Sequence, residues 1–511
     1  MSFREGKVGF LGATSYSAIL KEHSVGAGMC DPDEVEDTPD LPPVSAERIQ
    51  QGAELLALLR DIPLFEKFTL RWYSLYEGIL VMRPAWSIWI KELWSEYGRL
   101  LIEGKPDQLR NLSELVWRNT RKPMSIHGQM TAQEWAMAAS GRNLRWEVVG
   151  IILTLVGLVA ANVSDWNSIF KDIPQYIDRA TFAERMRKAS EFCLCFCYEA
   201  EVLNDLYVTF MYEDLVLVEC MKGDAHYAAW QRTGEVCDAV VAMGLHQGNK
   251  VDAKTPFFLS ELRKKIFISA YGRDKQIATF LGRPLRLSYR YCKMEMPLDL
   301  TDEVFFLHGA ELEARLASVD ERGWSHSGEL CRNTWCRVWF QHSRLREDIL
   351  EIALGSDEED ISLKSQHIKQ NLERDHASYP AIMRVPPEEL FQGNDGKTYG
   401  IAHQDASLRG INAIFILCIH AGILHTEFLL QRAIISRKNA DYKELIPISR
   451  KILNLVLLAQ SHREVFRDFH SDLTYVVSSS ISVFAPQSST NKLASGPSTG
   501  SRRPASWRSS S

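Results

Sequence analysis

Apolar residues recur at intervals of three and four along most of the chain from Ser45 to about Val477, the spacing that gathers side chains on one face of a helix. Between 46 and 59 the pattern runs through Ile49, Ala53, Leu55, Leu56 and Leu59; between 86 and 101 it runs through Trp86, Trp89, Ile90, Leu93, Trp94 and Tyr97. Pro63, Pro84, Pro284 and Pro297 fall between such segments, where a residue lacking an N–H interrupts the ladder. Strand signals are few, and the Asn and Asp-Gly of "QGNDGK" (392–397) sit in a polar stretch that reads as a loop. The expected fold is all-α, a large multi-helix bundle, with no internal repeat that would build a solenoid.

Two runs are apolar on every side, "VVGIILTLVGLVAANV" (148–163) and "INAIFILCIHAGILHTEFLL" (411–430). A bilayer span needs roughly 18 apolar residues. The first run is shorter, and the second carries Asn412, His420, His425 and Glu427, so both read as buried helices and no membrane partner is expected. The pattern changes at both ends of the chain. Residues 9–20, "GFLGATSYSAIL", place a turn at Gly9 and Gly12 and a cap at Thr14 or Ser15, opening a helix through Tyr16, Ile19 and Leu20. The stretch lacks the second glycine of G-x-S-x-G, so neither Ser15 nor Ser17 is read as a nucleophile. The division expected is an N-terminal turn–helix segment (1–30), a solvated acidic, proline-rich linker (31–44), the helical body (45–480) and a disordered Ser-rich tail (481–511).

At 511 residues and 45% hydrophobic content, the chain has material for one large core or two to three ordinary ones. Its 59 basic and 65 acidic residues leave a formal charge of −6, without the positive field that unassisted nucleic-acid binding uses. The opening "MSFREGKVGF" has no apolar signal core, so the ten cysteines are expected to stay reduced inside the cell.

No residue group makes a strong case for catalysis. Cys193, Cys195 and Cys197 have neither a C-x-x-C partner nor a nearby His pair, and are expected to be buried thiols; Cys331 and Cys336 are read the same way. Asp205, Thr209 and Glu213 line one helical stripe at i, i+4 and i+8, a spacing similar to the second magnesium motif of all-α terpene cyclases. Leu206 replaces the usual second acid and the acid cluster "DEED" (357–360) lies downstream, so a solvated or intrahelical polar stripe is expected, with a magnesium-dependent cyclase as the remote alternative. His420 and His425 are expected to make core or interhelical hydrogen bonds, and His246 to sit at a helix C-terminus. In "ELRKKIF" (261–267), Leu262 and Ile266 mark the buried side and Arg263, Lys264 and Lys265 the solvated one.

The segments "GDAHYAAWQRTGEVCDAVVAMGLHQ" (223–247), "ELRKKIFISAYGRDKQIATFLGRPLRLS" (261–288) and "CKMEMP" (292–297) resemble the regulatory domain, or middle homology region, of fungal-specific transcription factors of the xylanolytic-activator type. The matching residues are Trp230, Gly234, Gly244, Leu245, His246, Glu261, Leu262, Arg263, Phe267, Asp274, Gly282, Arg283, Pro284 and Pro297. Segments 140–161 and 9–20 are also similar, so that the likeness spans most of 9–478. It implies a nuclear regulator of RNA polymerase II genes with no catalytic centre, a homo- or heterodimer with related factors, and a small-molecule inducer or partner as its signal. Glu261 and Arg263 are expected to open a helix that Gly282-Arg283-Pro284 ends, with Arg283 pairing with an acid such as Asp274 ahead of any ligand contact. Family members bind DNA through an N-terminal binuclear zinc cluster of six cysteines, whereas only Cys30 precedes Cys193 in this sequence. No cofactor is therefore expected in this chain. Zinc and direct DNA binding are expected only with an upstream cluster; the alternatives are a cluster-less regulator acting through a partner, including a cofactor or inhibitor of a zinc-cluster factor, or DNA contact by another route.

Overall fold

A computed structural model describes residues 9, 10, 12, 15, 42–76, 80–162, 178–248, 251, 254–327, 330–356, 360–391, 406–438 and 441–466. Most of the segment 1–30 and the linker, the whole of 481–511, the loop 392–397 and most of the "DEED" cluster lie outside them. The α-helices are α1 (Ala46–Leu56), α2 (Ile62–Tyr76), α3 (Arg83–Glu103), α4 (Pro106–Arg121), α5 (Ala132–Met137), α6 (Trp146–Asn162), α7 (Arg179–Glu199) and α8 (Asp205–Lys222). They continue as α9 (Tyr227–Ala242), α10 (Phe257–Leu281), α11 (Gly309–Leu316), α12 (Arg332–Leu354), α13 (Ile361–Ala377), α14 (Ala406–Lys438) and α15 (Leu445–Ser461). Among the described residues the only extended pairing is an isolated bridge between Val319 and Ser325. The all-α expectation is met.

Local chemistry explains the helix boundaries. Ser45, Asp178 and Asn204 each accept a hydrogen bond from a first-turn N–H, and Thr131 and Glu134 close a capping box. The periodic segment 46–59 is not one helix, because it tightens after Leu56 into a 3₁₀ turn over Ala57–Asp61. Pro63 and Pro84 lie within the first turns of α2 and α3 rather than between segments, where their missing N–H leaves no intrahelical bond unmade.

α6 is the axis of the body, buried at every position from Trp146 to Ala160 and packed against α7, α8 and α2. A helix apolar all round must be surrounded by others, which is why run 148–163 has no polar face. The large core joins α1–α10 around Trp86, Trp89, Trp117, Trp146, Phe196 and Phe210; two smaller apolar clusters lie in the C-terminal layer of α12–α15. α14 contains the second apolar run. Its residues 412–438 are long and apolar enough to cross a membrane, a test that core helices also pass, and it packs against α12, α13 and α15.

Close packing along α6 depends on glycine. A Cβ on Gly150 would lie 2.0 Å from Phe210 Cζ, and one on Gly157 would lie 2.9 Å from Leu217 Cδ2. Phe210 is fully buried, so its ring has nowhere to retreat. Gly150→Ala is therefore expected to destabilise the protein by about 1–3 kcal/mol despite its better helix propensity. A urea midpoint at or above that of the wild type would contradict this packing.

Cys193, Cys197, Cys331 and Cys336 are buried as expected, but Cys195 is exposed, because a residue two along a helix turns to the opposite face. Burial pushes the Cys193, Cys197 and Cys336 thiols up, which removes the thiolate that nucleophilic chemistry needs.

Candidate functional site

The residues singled out from the sequence fall at three places around α9 and α10. The N-terminal half of α10 holds Glu261 and Arg263. The helix begins at Phe257, so both lie beyond its first turn and do not open it. Glu261 accepts from the Leu298 N–H at 2.7 Å and from Lys264 Nζ at 2.7 Å, fixing the chain that returns across the helix. Arg263 forms a two-pronged pair with Asp205 at the start of α8, with Nε at 2.8 Å and Nη2 at 3.0 Å. Lys265 is buried and bonds Asp302 at 3.0 Å. The basic run is thus not a solvated face: each of its three cations meets an acid on a neighbouring element or turn.

Asp205, Thr209 and Glu213 are likewise not solvated. All three are buried, and each is committed to a protein partner. Asp205 holds Arg263, Thr209 Oγ1 donates to the Asp205 carbonyl at 2.8 Å, and Glu213 accepts from the Leu80 N–H at 2.8 Å. Burial raises the Glu213 carboxyl. The three do not converge on a common point, and among the described residues no group of three or more His, Cys, Asp and Glu side chains is placed to hold a metal ion.

The C-terminal end of α10 carries the densest constellation. Eleven residues separate Arg263 from Asp274, so at the helical rise the two places lie about 16 Å apart. Gly282 ends α10 in the left-handed conformation at φ 64°, the stop expected of it. Arg283 and Pro284 follow, exposed. Arg283 does not pair with Asp274; its guanidinium lies 4.9 Å from the Trp230 ring centre, and Arg286 lies 4.1 Å from the same ring. Arg286 Nη2 also donates to the Trp230 carbonyl at 3.1 Å, and a Cβ on Gly234 would meet Arg286 Nε at 3.1 Å. Asp274 instead receives the backbone N–H groups of Arg286 and Leu287 at 3.0 Å.

Beneath this stack lies a buried charge network that sequence reading missed. Lys275 is fully buried, 3.0 Å from Asp274 and 3.6 Å from Glu347 of α12, and it donates to the Leu287 carbonyl. Its ammonium lies 4.0 Å from the centre of the Tyr271 ring. Glu347 gathers the Tyr271 hydroxyl, Ser288 Oγ at 2.6 Å and the Tyr289 N–H at 3.3 Å. Burial, reinforced by the Glu347 charge, raises the Tyr271 hydroxyl well above its ordinary value. The available signal was Lys275 itself, a cation four residues beyond Tyr271 on a helix face otherwise occupied by Ile268 and Ala278. Its carboxylate partner, 72 positions away on another helix, leaves no mark in local spacing.

The third place is the turn after α9. Gly244 adopts φ 73° and His246 lies in the following 3₁₀ turn, its ring set edge-on to Phe10 with centres 5.1 Å apart. Burial lowers the imidazole pKa there, favouring the neutral ring over an imidazolium serving the α9 dipole. The arrangement as a whole fixes loops and helices to one another. Most of its charges are paired with one another inside the protein.

Residues 215–352 match the family described as fungal specific transcription factor domain. The pyrimidine pathway regulatory protein 1 of Saccharomyces cerevisiae is 25% identical over 136 residues, which is 27% of this chain and 14% of the relative. The chain thus matches only a small part of that relative's length. No solved structure matches. The matched region is narrower than the likeness over 9–478, and it runs from the middle of α8 through the stack and the lysine network to the end of α12. The middle of this chain, from Leu215 to Ile352, is thus similar to the fungal specific transcription factor domain, the family to which the sequence resemblance pointed.

Proposed function

We propose that the chain is a regulatory module of a nuclear transcription regulator acting on RNA polymerase II genes, taking its signal from a partner or small-molecule effector. The observation that carries this reading is the coincidence of the matched region with the buried lysine–carboxylate network and the arginine–Trp230 stack on α8–α12. Such a network links α9, α10, α12 and the loop 282–291 so that a shift in one is felt in the others, a suitable basis for population shift on binding. DNA contact is reached through a zinc cluster, carried by a related factor in a heterodimer or, in a homo- or heterodimer, by an upstream segment.

The test is to fuse the full chain to a heterologous DNA-binding module beside a reporter. Output is expected to change several-fold, and Arg286→Ala, which removes the guanidinium from the Trp230 ring and carbonyl but keeps the backbone N–H that Asp274 accepts, is expected to blunt that change while the protein level holds. A rise marks an activator, and a fall marks an inhibitory cofactor. An unchanged reporter, with the fusion intact and nuclear, would overturn the reading.

A further inference from the structure

Gly9 and Phe10 lie against the end of α9, although the acidic, proline-bearing stretch 31–44 separates them in sequence from the helical body. The Phe10 N–H donates to the Ala242 carbonyl at 2.6 Å, and the Phe10 ring meets His246 edge-on at an interplanar angle of 89°. Both sides of the contact need glycine. Gly9 has φ 70°, and a Cβ there would lie 2.8 Å from the Ala242 carbonyl oxygen; Gly244 has φ 73°, and a Cβ there would lie 2.7 Å from Phe10 Cδ2. No side chain other than hydrogen fits at either position without displacing the other partner.

The receiving turn is complete without its occupant. Met243 and Gly244 donate back to Ala239 and Val241, Gln247 donates to Gly244, and Lys293 donates to the His246 carbonyl at 2.8 Å. Phe10 covers this turn but stays 41% exposed, so it rests on the surface and is not part of the core. Among the described residues a backbone hydrogen bond and a ring contact join it to the turn.

We propose that the Gly244–His246 turn is a preformed seat for the chain's own Gly9–Phe10 segment, an intramolecular clasp that holds the N-terminal arm on the helical body and that a competing glycine–aromatic segment displaces. The clasp gives Gly244 and His246 a task of their own: they fix whatever the arm carries relative to α9 and α10. It does not depend on the chain being a transcription regulator.

The experiment uses the full chain with a protease site inserted between Thr38 and Pro39, cut after purification and run on gel filtration. The wild-type arm is expected to co-elute with the body, and a synthetic peptide of residues 5–15 in excess is expected to release it. Phe10→Ala should reduce the retained arm at least fivefold while the helical circular dichroism stays unchanged. Gly244→Ala should do the same; because it also strains the turn, Phe10→Ala decides. Release of the wild-type arm without competitor, equal retention by Phe10→Ala, or failure of the peptide to compete would each overturn the clasp. A Phe10-dependent pull-down of one uncut copy by another would place the arm on a second molecule and overturn it as well.

Discussion

Replacing Lys275 with Met is expected to lower the unfolding free energy by about 3–5 kcal/mol, the cost of leaving buried carboxylates without their cation. Lys275 and Glu347 are both fully buried, and Asp274 nearly so, so water cannot take over the lost partner. The effect should spread to the loop 286–289, because the Leu287 carbonyl loses its donor and Asp274, which orders the Arg286 and Leu287 N–H groups, gains an unbalanced charge. Urea unfolding followed by circular dichroism reads the first effect, and amide hydrogen exchange at 286–289 reads the second. Adding Glu347→Leu to Lys275→Met should recover part of the loss but not all, since Tyr271, Ser288 and Tyr289 also lean on that carboxylate. A loss below about 1 kcal/mol for Lys275→Met would show that the cation is solvated and the network is not closed.

A second large effect concerns acid. His342 of α12 is buried under Gly422 of α14, where a Cβ would lie 2.5 Å from its Nδ1, and burial drives its pKa down to about 3. The groups facing it all oppose a further positive charge: Arg346 on its own helix, His376 of α13, and His425 of α14, which itself lies beside Arg346 and Arg432. In the unfolded chain a histidine takes up its proton near pH 6.5. The folded state refuses that proton, so its stability is complete above about pH 6.5 and is lost progressively as pH falls toward 3. Between pH 7 and pH 5.5 the loss from His342 alone amounts to about 1.2 kcal/mol. Glu219, which burial raises to about 7, works in the opposite sense over the same interval, because its folded form takes up a proton the unfolded chain does not. The histidine contribution is therefore read as a difference. The wild type should lose about 1.2 kcal/mol more than His342→Gln between those two pH values. Parallel stability–pH curves for the two proteins would contradict the burial of a neutral ring.

Much of the architecture was legible because it is local. The 3.6-residue period marked the helical body, Gly282 marked the end of α10, and the all-round apolar run 148–163 announced its burial. Non-local pairing was not legible. Arg263 and Lys265 looked like part of a wet face because nothing in their spacing shows Asp205 and Asp302 folding back to meet them, whereas Lys264 pairs locally with Glu261 one turn before it. Arg283 was assigned to Asp274 on proximity in sequence, yet the acid is spent on backbone N–H groups and the arginine turns to Trp230.

α12 serves two masters. Its Glu347 closes the lysine network of the large core, while His342, one and a half turns earlier, is wedged among α13 and α14 in the C-terminal layer. A rod gripped on both flanks cannot roll to relieve crowding at one without loosening the other. Crowding beneath Gly422 and order in the loop 286–289 are therefore expected to change together, because both contacts are made by one helix.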